Sequence, residues 1–109
     1  MTIAYSQLAQ ERENSTSPAV IYTLIAGDTV QAFIKVANTT SASATVSVFH
    51  DVLGSTYDET TAILWGIEIG PGQFLEVDKI FMDTTGATLA YSSSVANALT
   101  ATVYGVIKA

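Results

Sequence analysis

The chain has one histidine, His50, in the run Phe49-His50-Asp51, and a nucleophilic triad needs such a residue beside an activated serine and an orienting carboxylate. Ser55 is the nearest candidate, but Gly54-Ser55-Thr56 is not the Gly-x-Ser-x-Gly elbow that exposes a strained nucleophile. His50 therefore reads as a structural histidine on the core side of a strand end. Paired carboxylates could serve glycoside hydrolysis, and Asp58-Glu59 or Glu76 with Asp78 are the available pairs. Glu76 and Asp78 alternate along one strand and so share a face, which suits a solvated edge as well as a site. The loop from Asp51 to Glu59 offers oxygen donors in Asp51, Ser55, Thr56, Asp58 and Glu59. It lacks the regular Asp-x-Asp-x-Asp-Gly spacing of a calcium loop and reads as a solvated acidic loop. Gly70-Pro71-Gly72 precedes a strand and has no lysine after it, so it is a tight turn and not a phosphate cradle. The absence of cysteine excludes disulfides, zinc ribbons and thiol catalysis. The expectation is a protein that is not an enzyme, with no catalytic, metal or cofactor site.

The elements that would have to position such residues are strands. Of the 109 residues, 15 are Thr, 10 Ser and 15 Ala, whereas Lys and Arg together number 4. Long charged side chains usually fill solvent-facing helix surfaces, while Thr and Ser suit exposed strand faces and turns. The formal charge of -6 makes nucleic-acid binding improbable, because a phosphate backbone repels such a surface. The opening MTIAYSQLAQER has neither the basic nor the apolar region of a signal peptide. No apolar run approaches the roughly 18 residues of a membrane-spanning helix, since AILWGIEI is short and broken by Glu68.

From Ala19 onward, short apolar runs are separated by turn signals at the spacing of a sandwich or barrel. Candidate strands cover Val20 to Leu24, Thr29 to Ala37, Ala44 to His50, Thr61 to Ile69, Gln73 to Phe81, Ala87 to Ser92 and Leu99 to Ile107. Residues 19–109 are thus expected to form a single antiparallel β-sandwich, jelly-roll-like, of about seven to eight strands. Alternation puts Val30, Ala32, Ile34 and Val36 on one face, and Val46 and Val48 on another. A hairpin closed by Asn38 to Ser43 would pair Val36 with Val46 and Ile34 with Val48, leaving Phe33 opposite Phe49 outside. In the fourth strand Ile63, Trp65, Ile67 and Ile69 share the core face, with Leu64 and Glu68 outside. In the last strand Tyr104 and Val106 point out. Phe33, Phe49, Leu64, Tyr104 and Val106 make an apolar outward set large enough to mark an interface, and subunit contact in a homo-oligomer is the favoured reading. The fifth strand shifts phase at Asp78-Lys79, where Leu75 and Val77 give way to Ile80 and Met82, so a bulge or sheet crossover is expected at Asp78.

Residues 1–18 read as an N-terminal arm outside the sandwich. Tyr5, Leu8 and Arg12 fall at spacing that permits a short helix from about Ala4 to Asn14, with a frayed terminus as the alternative. Tyr5 and Leu8 are the expected arm contacts.

The runs Ala19-Val20-Ile21-Tyr22-Thr23, Ile34-Lys35-Val36-Ala37-Asn38-Thr39-Thr40, Ile69-Gly70-Pro71-Gly72-Gln73-Phe74-Leu75, Phe81 to Thr88 with Gly86, and Ala101-Thr102-Val103-Tyr104-Gly105-Val106 resemble a group of small β-sandwich virion proteins of tailed bacteriophages. The resemblance covers about residues 19–109. The turn typical of that group is Pro-Gly-Glu-Thr, here Pro71-Gly72-Gln73-Phe74, and the acidic loop is longer. The resemblance implies a capsid decoration or cement protein on the virion exterior, assembled in the host cytoplasm, with the major capsid protein as partner and a homotrimer favoured over a dimer. It implies no catalytic residue. A tail or baseplate component is the alternative role. A carbohydrate-binding sandwich using Trp65 or Tyr57 for stacking is a third reading, opposed by the inward position expected of Trp65.

Overall fold

The computed structural model describes residues 6–108, and its regular structure is entirely β. Eight strands follow one another: β1 (Ser6–Arg12), β2 (Ala19–Thr23), β3 (Thr29–Asn38), β4 (Ala44–Asp51), β5 (Ala62–Ile69), β6 (Phe74–Met82), β7 (Thr88–Ser93) and β8 (Leu99–Lys108). Sheet A has the order β1-β8-β3-β6 and sheet B the order β2-β7-β4-β5. All pairings are antiparallel, and they join β1 to β8, β2 to β7, β3 to β6 and β4 to β5. A chain doubled back on itself in that way and rolled into two sheets is a jelly roll, as the strand spacing predicts.

The core lies between the sheets. Ile34, Val36 and Val103 of sheet A meet Val46, Val48 and Leu89 of sheet B, all at most 1% exposed. Ile34, Val36, Val46 and Val48 are residues that alternation assigns inward, and each such burial contributes about 1.5–3 kcal/mol. Their partners differ from the expected hairpin. β3 pairs with β6 and β8, β4 pairs with β5 and β7, and Val36 and Val46 belong to opposite sheets. Asn38 is responsible for the crossover. Its buried amide donates to the Ala42 and Ile69 carbonyls at 2.8 and 2.9 Å, and its Oδ1 accepts from the Thr40 backbone N–H and hydroxyl. Its backbone bonds to Gln73 and Gly72 tie the same corner to the Pro71 turn. Phe33 and Phe49 therefore lie on different sheets.

The N-terminal segment differs from the expected arm and helix. Ser6–Arg12 is a strand of sheet A, with Ser6 opposite Gly105 and Arg12 opposite Thr100. A helix that short is marginal in water, whereas the free edge of β8 offers a row of unpaired backbone groups and a place to bury Leu8 and Ala9. Gly105 makes room for this strand: a Cβ there would lie 2.8 Å from the Gln31 carbonyl oxygen and 2.9 Å from Leu8 Cδ1. The buried Tyr91 crosses from sheet B to donate its hydroxyl to the Glu11 carbonyl at 3.3 Å. Tyr5, the other expected arm contact, lies outside the described residues.

Two bulges set which side chains turn outward. The register of β3 with β6 shifts opposite Asp78-Lys79, where Lys79 has φ of 57°. The phase change at Asp78 is therefore a bulge, and Val77 and Ile80 both face the core. The second bulge has no precedent in the sequence reading. Gly66 has φ of 61°, and β5 loses step with β4 around it: Ile67 lies opposite Val46 but Leu64 opposite Val48. The alternation of Ile63, Trp65, Ile67 and Ile69 breaks there. Leu64 turns inward to pack on the core, which corrects its assignment to the outer face, and Trp65 turns out with 56% exposure.

Candidate functional site

The outer face of sheet B is covered by its own chain. β4 ends at Asp51, and the connection to β5 folds back so that Tyr57 packs against Phe49 with ring centroids 6.3 Å apart. Trp65 approaches the same ring edge-on at 6.2 Å. Phe49 is left 2% exposed, and its neighbour Ala90 is fully buried. Phe49 does point away from the core, but it is the centre of a small second cluster and not an interface residue.

Asp51 holds that loop in place. Its carboxylate accepts backbone N–H groups of Leu53 (3.1 Å), Ser55 (2.8 Å) and Thr56 (2.7 Å). These bonds keep its pKa below the ordinary carboxylate value. Tyr57 adds a hydroxyl contact with Thr88 Oγ1 at 2.7 Å, and Asp58 accepts from the backbone and hydroxyl of Thr60. Asp51 and Asp58 are thus turn-forming anchors, while Asp58 and Glu59 stay exposed as expected of a solvated acidic loop. Among the described residues no group of three or more His, Asp or Glu side chains is arranged to hold a metal. Ser55 enters this network through its backbone, and no hydrogen bond joins it to His50. His50 instead faces a crevice of about 350 Å³ at the β5/β6 flank, shared with Ile63, Asp78 and Lys79, where its Nε2 is buried without a partner.

On the outer face of sheet A the aromatic and apolar residues of β3 and β8, Phe33, Tyr104 and Val106, are half-buried. Phe33 and Tyr104 are paired across β3 and β8 and stack with centroids 5.1 Å apart, inclined by 24°. Val106 follows on the same face, opposite Gln31, and Gln31 is opposite Phe81 on β6. Phe81 is 62% exposed and walls a cleft of about 430 Å³ with Gln31, Val106, Asp83 and Lys108. Toward the other end, Lys35 Nζ lies 4.2 Å from the centroid of the Phe74 ring. Arg12 donates to the hydroxyls of Thr100 and Thr39, and Gln10 donates to Thr102 Oγ1 at 3.0 Å.

Of the five expected interface residues, the fold brings Phe33, Tyr104 and Val106 together and withdraws Phe49 and Leu64. Those three are half-buried, whereas Phe81 and Phe74 on the same face are exposed. The phase change at Asp78 already implied an outward Phe81, since Ile80 and Met82 flank it. A second apolar surface has no periodicity to announce it. The β2–β3 and β6–β7 connections are linked at one end of the sandwich by Leu24 N–H to Ala87 O (2.9 Å) and Gly86 N–H to Leu24 O (3.2 Å), and Gly54 of the β4–β5 connection packs closely on Gly86. They leave Ile25, Val52 and Leu53 in solvent, Leu53 at 83% exposure.

No protein-family model matches the chain, and no curated protein matches it with statistical significance. The surfaces themselves must therefore carry the functional reading.

Proposed function

We propose that this protein is a non-enzymatic structural component of a tailed-phage virion, a decoration or cement protein that sits on the capsid exterior and stabilises contacts between capsomers. Its partners are the major capsid protein and further copies of itself, with a trimer as the favoured assembly. The observation that carries this reading is the pair of separate apolar surfaces on one small domain: the outer face of sheet A with its exposed Phe74 and Phe81, and the loop end bearing Ile25, Val52 and Leu53. A protein that joins both a shell and its own copies needs two such surfaces, and contiguous exposed apolar area marks interaction sites. The resemblance to small phage sandwich proteins over residues 19–109 supports the same assignment.

Quantitative mass spectrometry of purified virions is the test. A copy number comparable with that of the major capsid protein is the expected result; a few copies per particle would assign the protein to the tail or baseplate instead. Ile25→Ser with Leu53→Ser should weaken binding to shells that lack the protein, without changing the fold measured by circular dichroism.

One observation favours a second reading. The Gly66 bulge turns Trp65 outward beside Tyr57, which removes the objection to an aromatic stacking platform for sugars. Tyr57 is engaged with Thr88, so Trp65 is the platform. Glycan-array binding that Trp65→Ala abolishes would establish it.

A further inference from the structure

The first strand, β1, is lightly held. It occupies an edge of sheet A, its residues are exposed or half-buried throughout, and its contribution to the core is Leu8 and Ala9. Its side chains divide between two environments. Gln10 and Arg12 lie opposite Thr102 and Thr100 on the outer face, where both donate to threonine hydroxyls. Ala9 and Glu11 lie opposite the fully buried Val103 and Ala101, so Glu11 is turned toward the gap between the sheets. Tyr91 reaches the same point from sheet B. It is fully buried, and its hydroxyl lies 3.3 Å from the Glu11 carbonyl oxygen and 3.5 Å from Glu11 Oε1. Glu13 completes the corner. Its carbonyl accepts the Asn97 N–H at 2.9 Å, its Oε1 accepts the Asn14 N–H at 3.0 Å, and its carboxyl group is within hydrogen-bonding reach of Glu11. Among the described residues no cation faces this pair. Arg12 and Lys35 are on the outer face, Lys79 is on β6 at the opposite edge, and Lys108 lies beyond the start of β1. Of the other elements at this corner, β7 brings Tyr91 and β2 brings Tyr22, whose charged neighbour is Asp28. Tyr104 of β8 is on the outer face, and the β7–β8 connection has no titratable side chain.

We infer that Glu11 and Glu13 form a proton-operated latch on β1, closed over the Tyr91 hydroxyl when the two carboxyl groups share a proton and loosened when both are ionised. Ionised carboxylates only accept hydrogen bonds, so two of them side by side repel; a single proton makes one of them a donor to the other. Tyr91 remains a donor in both states, because burial first and the Glu11 charge next push its pKa up. Burial, followed by the neighbouring Glu13 charge, also raises the pKa of Glu11. The docked strand therefore holds the proton more tightly than the released one. The contribution of the closed latch is complete below the ordinary carboxylate value and is lost as pH rises through the raised one. What the latch governs is a sheet edge. When β1 releases, the β8 backbone from Thr100 to Gly105 loses its partner, and Leu8 leaves its place against Gly105. Edge strands with few apolar anchors belong to the low-stability end of a fold, where a small change in charge decides whether they stay docked.

Amide hydrogen exchange of the purified full chain, followed by NMR, tests this. Rates are divided by those of an unstructured chain at the same pH, so that the protection factors compare like with like. Protection of the amides from Leu8 to Arg12 that pair with β8 should fall several-fold between about pH 4 and about pH 7, across the range in which glutamates ionise. Protection of Ile34 and Val36, on the core face of β3, should stay unchanged. Glu11→Gln with Glu13→Gln supplies an uncharged pair that donates as well as accepts, and it should keep β1 at the protection of the acid state at both pH values. Circular dichroism confirms that the variant is folded. Equal protection of β1 at both pH values in the native chain would overturn the inference, and that measurement needs no variant. So would an undiminished fall in Glu11→Gln/Glu13→Gln, which would assign the pH dependence to other groups. Absence of the protein from virion shells would remove the decoration role and leave this result standing, since the measurement uses the purified chain alone.

Discussion

The two outer faces of this sandwich start from the same sequence pattern and end in opposite states. Each strand that carries them, β3 or β4, alternates core valines or isoleucines with a polar face interrupted by one phenylalanine. Phe49 is sealed beneath Tyr57 and Trp65 by a connection that Asp51 folds back onto sheet B. Phe33 stacks on its cross-strand neighbour Tyr104 and is half-buried on the outer face of sheet A. An outward aromatic is thus half-buried in a cross-strand stack on one sheet and part of a secondary core on the other. The difference lies in the length and anchoring of the connection that follows, not in the strand.

The largest expected effect separates the faces directly. Phe49→Ala empties a site closed on both sides and should cost about 3–5 kcal/mol in urea unfolding. The next tests the anchor. Asp51→Asn removes a carboxylate that accepts three backbone N–H groups, and hydrogen exchange should accelerate at Leu53, Ser55 and Thr56 while sheet A stays protected. Acid should mimic it. Because the folded-state pKa of Asp51 is lowered, its contribution is complete above the ordinary carboxylate value and disappears as pH falls through the depressed one. Exchange at these amides should rise in that acid range in the native protein and lose that pH dependence in Asp51→Asn.

On the outer face of sheet A, Phe33→Ala should cost less, about 1–1.5 kcal/mol, the worth of an aromatic pair and a half-buried ring. If it matches Phe49→Ala, sheet A is covered in solution and the contrast between the faces fails. The smallest change is Tyr57→Phe, which keeps the ring over Phe49 and removes only the hydroxyl contact to Thr88. It should cost about 0.5–1 kcal/mol.

Much of the fold was legible because a jelly roll is built from alternation, and alternation is written in sequence. Ile34, Val36, Val46 and Val48 face the core as their spacing requires, and the phase change at Asp78 marks a real bulge. The Gly66 bulge was hidden because Ile63, Trp65, Ile67 and Ile69 keep a regular spacing through it; only the left-handed backbone at the glycine, with open space where a Cβ would stand, reverses Leu64 and Trp65. The first strand was hidden for a different reason. The polar run Ser6–Arg12 buries little of itself and becomes a strand because β8 has an edge to fill. The Asn38 staple was visible as a motif, but its role in carrying the chain between sheets depends on carbonyls at Ala42 and Ile69 that only the folded corner gathers.

The sequence by itself determined an all-β chain, the core faces of its central strands, the shortage of cations and the outward direction of Phe33, Tyr104 and Val106. Those properties follow from side-chain type and a two-residue period, which are local. Which strands pair, which aromatics are covered and which layer carries the four lysine and arginine residues were decided by the tertiary structure. Pairing and covering depend on where distant connections return, and neither periodicity nor composition records that.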